Sequence, residues 1–182
     1  QKIHNFDFIH DKIWVCTKKG VFSYDFKGHK IEHNLHLNID ISKIYKDKNN
    51  VYWLSTLSNG IYLIKDFETK EILIPNEKLN TLSIDKNNVY VGTATGKIFT
   101  INNQLNPSLY YKFVNNYPIY YLNFDANQNY FFASSNGFYA INKTDKKQFF
   151  TNPGAVKDLL KVDESKYYVT GTGFFTEFNL TK

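Results

Sequence analysis

The sequence predicts an all-β protein built from five consecutive four-stranded antiparallel sheets, and three observations carry that reading. One phrase recurs five times: an apolar or aromatic run, a Ser or Thr, a Gly, and a second aromatic run. A second phrase, alternating in polarity and ending at an acidic or polar turn, precedes each copy. Aromatics make up 18% of the 182 residues, with 16 Phe and 14 Tyr, and such residues suit the pleated, half-buried surface of a sheet.

The first phrase reads IWVCTKKGVFSY, YWLSTLSNGIYLI, VYVGTATGKIFTI, YFFASSNGFYAI and YYVTGTGFFTEF. Its glycines, Gly20, Gly60, Gly96, Gly137 and Gly173, are spaced by 40, 36, 41 and 36 residues. The second phrase runs Ile41–Asp47, Leu79–Asp85, Ile119–Asp125 and Val156–Asp163, with a degenerate first copy at Ile3–Asp11. Its starts are 38, 38, 40 and 37 residues apart. The fourth copy shows the strand reading best. Ile119 to Phe124 leads to the polar turn DANQN, Tyr130 to Ser134 is a short apolar strand, and Ser135-Asn136-Gly137 is a hairpin signal. Phe138 to Asn142 is a third strand, and Gln148 to Thr151 an outer fourth. Four short antiparallel strands in about 40 residues is the period of a β-propeller blade. Blades are therefore expected at approximately 3–38, 41–76, 79–116, 119–153 and 156–182.

The recurring positions have structural jobs. The turn glycine supplies backbone angles that a side chain would forbid. The preceding hydroxyl (Thr17, Thr56, Thr93, Ser134, Thr170) bonds the turn backbone, and the acid ending the inner strand (Asp47, Asp85, Asp125, Asp163) forms an Asx-turn. The aromatic entering the second strand (Trp14, Trp53, Tyr90, Phe131, Tyr168) is a packing wedge between neighbouring blades.

The last repeat stops after its third strand, giving nineteen strands in all. The expected molecule is an open arc with two flat, Phe- and Tyr-rich end faces. It is read as part of a larger propeller, with the rest of that propeller or a partner chain completing it. The sequence starts at Gln1 and lacks Met, so it reads as a processed form or a piece of a longer chain.

Several function classes are disfavoured. The net charge is +5, but all 22 basic residues are Lys, and nucleic-acid readout favours the bidentate guanidinium of Arg. No stretch approaches the roughly 20 apolar residues of a membrane-spanning helix. The single Cys16 excludes an internal disulfide and reads as a buried thiol. The five histidines, His4, His10, His29, His33 and His36, fall within the first 36 residues; in the run His29, Glu32, His33, His36, residues 29 and 33 share one strand face and 36 falls on the other, so the run is read as solvated outer-strand residues, with no metal site. No pair of carboxylates, nucleophile motif or phosphate loop recurs, so neither catalytic residues nor a cofactor are expected.

In a propeller, the loops from outer to inner strands and the Gly hairpins lie on one face, and ligands often bind there. Here that face carries Asn38, Asp40, Asn76, Glu77, Asn115, Asn116, Tyr117 and Asn152. Their amides and an exposed ring suit a sugar or a peptide.

The copies running from Ile44-Tyr45-Lys46-Asp47 through Trp53-Leu54-Ser55-Thr56 to Gly60-Ile61-Tyr62, and from Leu82-Ser83-Ile84-Asp85 through Val89-Tyr90-Val91-Gly92-Thr93 to Gly96, carry a wider likeness. They resemble the two-component regulator propeller repeat. That resemblance implies a non-enzymatic ligand-sensing or binding module of a larger extracytoplasmic bacterial sensor, periplasmic or at the cell surface, with any kinase elsewhere in the parent. The ligand would be a carbohydrate, another small molecule or a protein. A protein-interaction scaffold in a surface or secretion assembly is the alternative, and a propeller hydrolase or lyase a lesser one.

Overall fold

A computed structural model describes residues 2–30, 38–66, 68–85, 88–113, 115–124, 130–141, 148–151, 154–163 and 166–179. Every regular element among them is a β-strand, and the strands form five antiparallel meanders. The first comprises β1 (Ile3–Ile9), β2 (Lys12–Thr17) and β3 (Gly20–Tyr24). The second is β4 (Ile41–Lys46), β5 (Tyr52–Thr56), β6 (Ile61–Lys65) and β7 (Glu68–Leu73). The third is β8 (Leu79–Asp85), β9 (Asn88–Thr93), β10 (Lys97–Ile101) and β11 (Pro107–Lys112). The fourth is β12 (Ile119–Phe124), β13 (Tyr130–Ser134), β14 (Gly137–Ile141) and β15 (Gln148–Thr151), and the fifth is β16 (Val156–Lys161), β17 (Lys166–Gly171) and β18 (Phe174–Asn179). This is the β-propeller blade, and the fifth copy has the three strands expected of it. The described residues hold 18 strands; the expected outer strand of the first blade falls at 31–37, outside them.

The chain forms two compact units, Gln1–Asn80 and Thr81–Lys182. In the first, Trp14, Cys16 and Val21 pack against Ile41, Ile44, Leu54 and Ile64. In the second, Tyr90 and Ile98 pack against Ile119 and Leu122, and Ala133 and Phe138 against Val156, Leu159 and Tyr167. Each cluster therefore lies between two successive sheets. Full burial of a Val, Leu, Ile or Phe side chain contributes about 1.5–3 kcal/mol, so these layers hold the sheets together within each unit.

The pairing register explains why the same positions recur. Cys16 pairs with Val21, Gly92 with Ile98, and Ala133 with Phe138, and these pairs face the following sheet. The inner strand of that sheet answers with Ile41 and Ile44, Ile119 and Leu122, or Val156 and Leu159. These two residues are three apart yet share a face, because the inner strand is bulged between them. The register slips at Ile3/Asn5, Ile41/Lys43, Ile119/Tyr121 and Val156/Asp158, and a bulge inserts one residue and re-aims its neighbours.

The hairpin hydroxyls act as expected in the earlier copies. Thr17, Thr56 and Ser134 donate to the carbonyls of Gly20, Gly60 and Gly137 at 2.9, 2.9 and 3.3 Å. Thr93 Oγ1 accepts from the backbone N–H of Thr95 and of Lys97. The fifth copy differs. Val156 pairs with Gly171, as Ile41 does with Thr56 and Ile119 with Ser134. The residue after it, Thr172, donates to Ala155 O as Leu57 does to Asp40 O and Lys18 to Lys2 O. Gly171, not Thr170, thus occupies the hydroxyl position. Thr170 is half-buried, whereas Thr17, Thr56, Thr93 and Ser134 are buried.

Asp47 makes the predicted Asx-turn: Oδ1 accepts from Asn49 N and Val51 N, and Oδ2 from Trp53 Nε1 at 3.0 Å. Asp163 accepts from Lys166 N. Asp25, an acid not singled out above, caps the loop after β3 through Lys27 N and His29 N. Asp125 and the side chain of Phe131 lie outside the described residues. Of the other wedges, Trp14, Trp53 and Tyr90 are buried, while Tyr168 is half-buried, its ring tilted against that of Phe175 at 5.3 Å.

Candidate functional site

In the first unit, the hairpin Thr56–Gly60 gathers two of the connecting loops. Leu57 N donates to Asp40 O at 2.9 Å and Gly60 N to Glu77 O at 2.9 Å. Asn76 N donates to Asn59 Oδ1, and Asn59 N to Thr56 Oγ1. Asn38, Asp40, Asn76 and Glu77 therefore sit on loops tied to one hairpin. The tight fit demands Gly60: its φ is +70°, and a Cβ would strike the carbonyl oxygens of Leu73 and Ile74. Asn38 and Asn76 adopt positive φ, 50° and 68°, a conformation Asn tolerates better than most residues. Both are exposed; Asp40 and Glu77 are half-buried.

Asp40 is already engaged. Its Oδ1 lies 2.6 Å from His4 Nε2, and the His4 side chain is only 11% exposed. His4 is the bulge residue of β1, so the bulge turns it toward the loop before β4. The sequence did not single out this contact. The signal for it was positional: the second residue of the inner strand is His4, Ser42, Tyr120 and Lys157 in the four bulged copies, non-aliphatic each time. Ser42 likewise bonds Ser55 Oγ at 2.8 Å and Leu79 O at 2.5 Å. His29 Nδ1 pairs with Asp25 Oδ2 at 3.0 Å in an exposed loop, while His33 and His36 lie outside the described residues.

In the second unit, Gly96 O accepts from Phe113 N, and the Gly96 Cα faces the backbone of Asn116 and Tyr117. Asn115 and Asn116 are exposed and Tyr117 is half-buried beside this second hairpin. The bulge residues of the fourth and fifth sheets meet each other, with Lys157 Nζ 3.5 Å from the Tyr120 ring centroid. Asn152 lies outside the described residues. Among the described residues no group of three metal-ligating side chains is brought together. Burial pushes the Cys16 thiol up to about 12, with the Asp7 charge adding to the effect.

No family model matches the chain, and no curated protein does. Solved structures of three kinds are similar to it. Two are extracellular domains of putative signalling systems of B. thetaiotaomicron: the one component system BT4673, at 17% identity and TM-score 0.78, and the hybrid two component system BT3049, at 16% and 0.75, each covering 98% of this chain and 27% of the other. Another is PorZ, a surface component of the type-IX secretion system of Porphyromonas gingivalis, at 12% identity and TM-score 0.70, covering 99% and 25%. A virginiamycin B lyase from Staphylococcus aureus is also similar, at 12% identity and TM-score 0.73, covering 97% and 69%. At these identities the likeness is one of fold, and it assigns the chain to the β-propellers. The chain spans about a quarter of the length of the signalling domains it matches.

Proposed function

We propose that this chain is a non-enzymatic binding segment of a larger extracytoplasmic bacterial sensor, built from two-component regulator propeller repeats. The observation that carries the reading is the polar loop cluster beside the Gly96 hairpin of the second unit, where exposed Asn115 and Asn116 and half-buried Tyr117 stand on backbone held by that hairpin. It offers amide donors and acceptors plus one aromatic ring, the chemistry that recognises a sugar by hydrogen bonds and stacking. Within the first unit, exposed Asn38 and Asn76 stand on loops tied to the Gly60 hairpin in the same way. The fold likeness to two extracellular signalling domains supports the same reading. Periplasm and cell surface are both compatible with it.

The experiment is a thermal-shift screen of the chain against oligosaccharides, repeated with Tyr117→Ala and Asn116→Ala. A glycan that raises Tm in the parent and loses its effect in Tyr117→Ala supports the proposal. Absence of any glycan-dependent shift overturns its carbohydrate form. The lyase likeness makes turnover a direct challenge: any lyase, ester or glycoside activity abolished by substituting one Asp, Glu or His would replace the binding reading with an enzymatic one. A scaffold in a surface or secretion assembly is the second reading, favoured by exposed Phe6, Phe8 and Phe175, which are 60, 59 and 67% accessible. The parent reading frame discriminates: a downstream membrane span and kinase belong to the sensor, their absence to the scaffold.

A further inference from the structure

Charge is unevenly placed along the strands of the second unit. At the hairpin end, beside Gly96, Lys97 and Lys112 are cross-strand partners on β10 and β11. Like charges placed directly opposite each other destabilise an antiparallel pair, so sheet stability does not account for this pairing. Lys157 also stands at this end, following Val156, which pairs with Gly171 at the start of β16. The acid beside it among the described residues is Asp158. Its Oδ1 accepts from Leu159 N at 2.8 Å. Its charge acts on Tyr121, whose hydroxyl burial first, and then Asp158, hold above the ordinary value. Acids prevail at the opposite end: Asp85 closes β8, Asp163 follows β16, and Glu177, late in β18, pairs with Lys166 at 2.8 Å.

The lysines of the hairpin end flank the amide and aromatic groups of the loop cluster. Lys112 precedes Asn115 by three residues, and between them Phe113 N donates to Gly96 O. Tyr120 follows Tyr117 by three residues, so their Cα atoms are at most about 11 Å apart. Lys157 Nζ is held 3.5 Å from the Tyr120 ring centroid. The ring attracts the ammonium through its quadrupole without neutralising it, and an ammonium has further N–H donors to offer. A charge already held in place loses less freedom when it meets a ligand.

We propose that the loop cluster of the second unit selects an anionic saccharide, carboxylated or sulfated, with Lys157 and Lys112 meeting the acid group and Tyr117 the sugar ring. The inference rests on the saccharide reading above and adds the charge of the ligand. Lysines attract an anion as point charges rather than gripping it bidentately, so binding is screened by salt.

The test is isothermal titration of the full chain with tetragalacturonate, with a κ-carrageenan tetrasaccharide, and with the methyl ester of tetragalacturonate, which keeps the sugar rings and removes the charge. One of the two acids should bind, more weakly as salt is added, and whichever binds identifies the acid group as carboxylate or sulfate. The methyl ester and the Lys157→Gln variant should each show about tenfold weaker affinity. Lys157→Arg should restore binding, and Lys161→Gln, at the opposite end, should leave it unchanged; circular dichroism confirms that each variant folds. A methyl ester that binds as tightly as the acid, with Tyr117→Ala abolishing both, overturns the inference and leaves the saccharide reading standing. So does binding of neutral glycans alone. If no saccharide binds, both fall. Acid binding that Lys157→Gln leaves intact, or that Lys161→Gln weakens equally, also overturns the inference.

Discussion

Thr56 closes its hairpin with one hydroxyl that donates to Gly60 O and accepts from Asn59 N. Thr56→Val keeps the shape but leaves the Asn59 N–H without its acceptor, while Gly60 O keeps only the backbone N–H of residue 56, so it should cost about 1–3 kcal/mol, read from the urea midpoint. Thr170→Val should stay within about 0.5 kcal/mol, because Gly171 holds the equivalent position and Thr170 is half-buried. Cys16 gives a chemical readout. Its folded-state thiol titrates at about 12 against an ordinary 9.0, so folding favours the protonated form. The linked stability is complete below the ordinary value and is lost as pH rises toward the folded one. Ellman's reagent at pH 8 should therefore label Cys16 only in denaturant. Asp25 moves the other way. The backbone N–H of His29, then its side chain, holds the carboxylate below its ordinary value, so its contribution is present above that value and fades as pH falls through the folded one. His29→Ala keeps the backbone donor, and a carboxyl carbon titration by NMR should find the Asp25 pKa still depressed, though less than in the parent.

Strands and sheets were legible because period, turn glycine and apolar alternation agree at five places. Registers were less so. Thr170 was matched by its three-residue spacing from Gly173, the spacing of Ser134 from Gly137, yet the ladder slides by one and puts Gly171 in that place. Spacing to a turn does not reveal which strand residue starts the pairing. The loop face was legible as polar composition, but not His4, since a bulge re-aims a side chain without altering hydropathy. Gly92 was also silent in the sequence. A Cβ there would lie 2.6 Å from Ile119 Cγ2 and 2.9 Å from Thr81 Cγ2, because the β12 strand approaches β9 closely. Gly92→Ala should cost about 1–3 kcal/mol by overpacking, seen as a lower denaturation midpoint with an unchanged slope. Gly28→Ala, with open space around its Cβ position but φ of +85°, should cost less, about 1 kcal/mol, from backbone strain alone.

Within each unit, stability is built from nearest-neighbour layers, as in other repeat proteins. Removing 156–182 should strip one layer, exposing Ala133 and Phe138, and lower the denaturation midpoint. Both tryptophans, Trp14 and Trp53, belong to the first unit, so their emission maximum should not shift; a red shift would show that the layers do not act locally. In the inter-sheet layers of both units, an inner strand receives and the hairpin strands of the preceding sheet offer, so a repeat carries one receiving and one offering side. A recombination event that inserts or deletes one period of the gene leaves valid surfaces on both flanks. The number of repeats is therefore free to drift within a lineage while the polar loops that meet a ligand change on their own schedule.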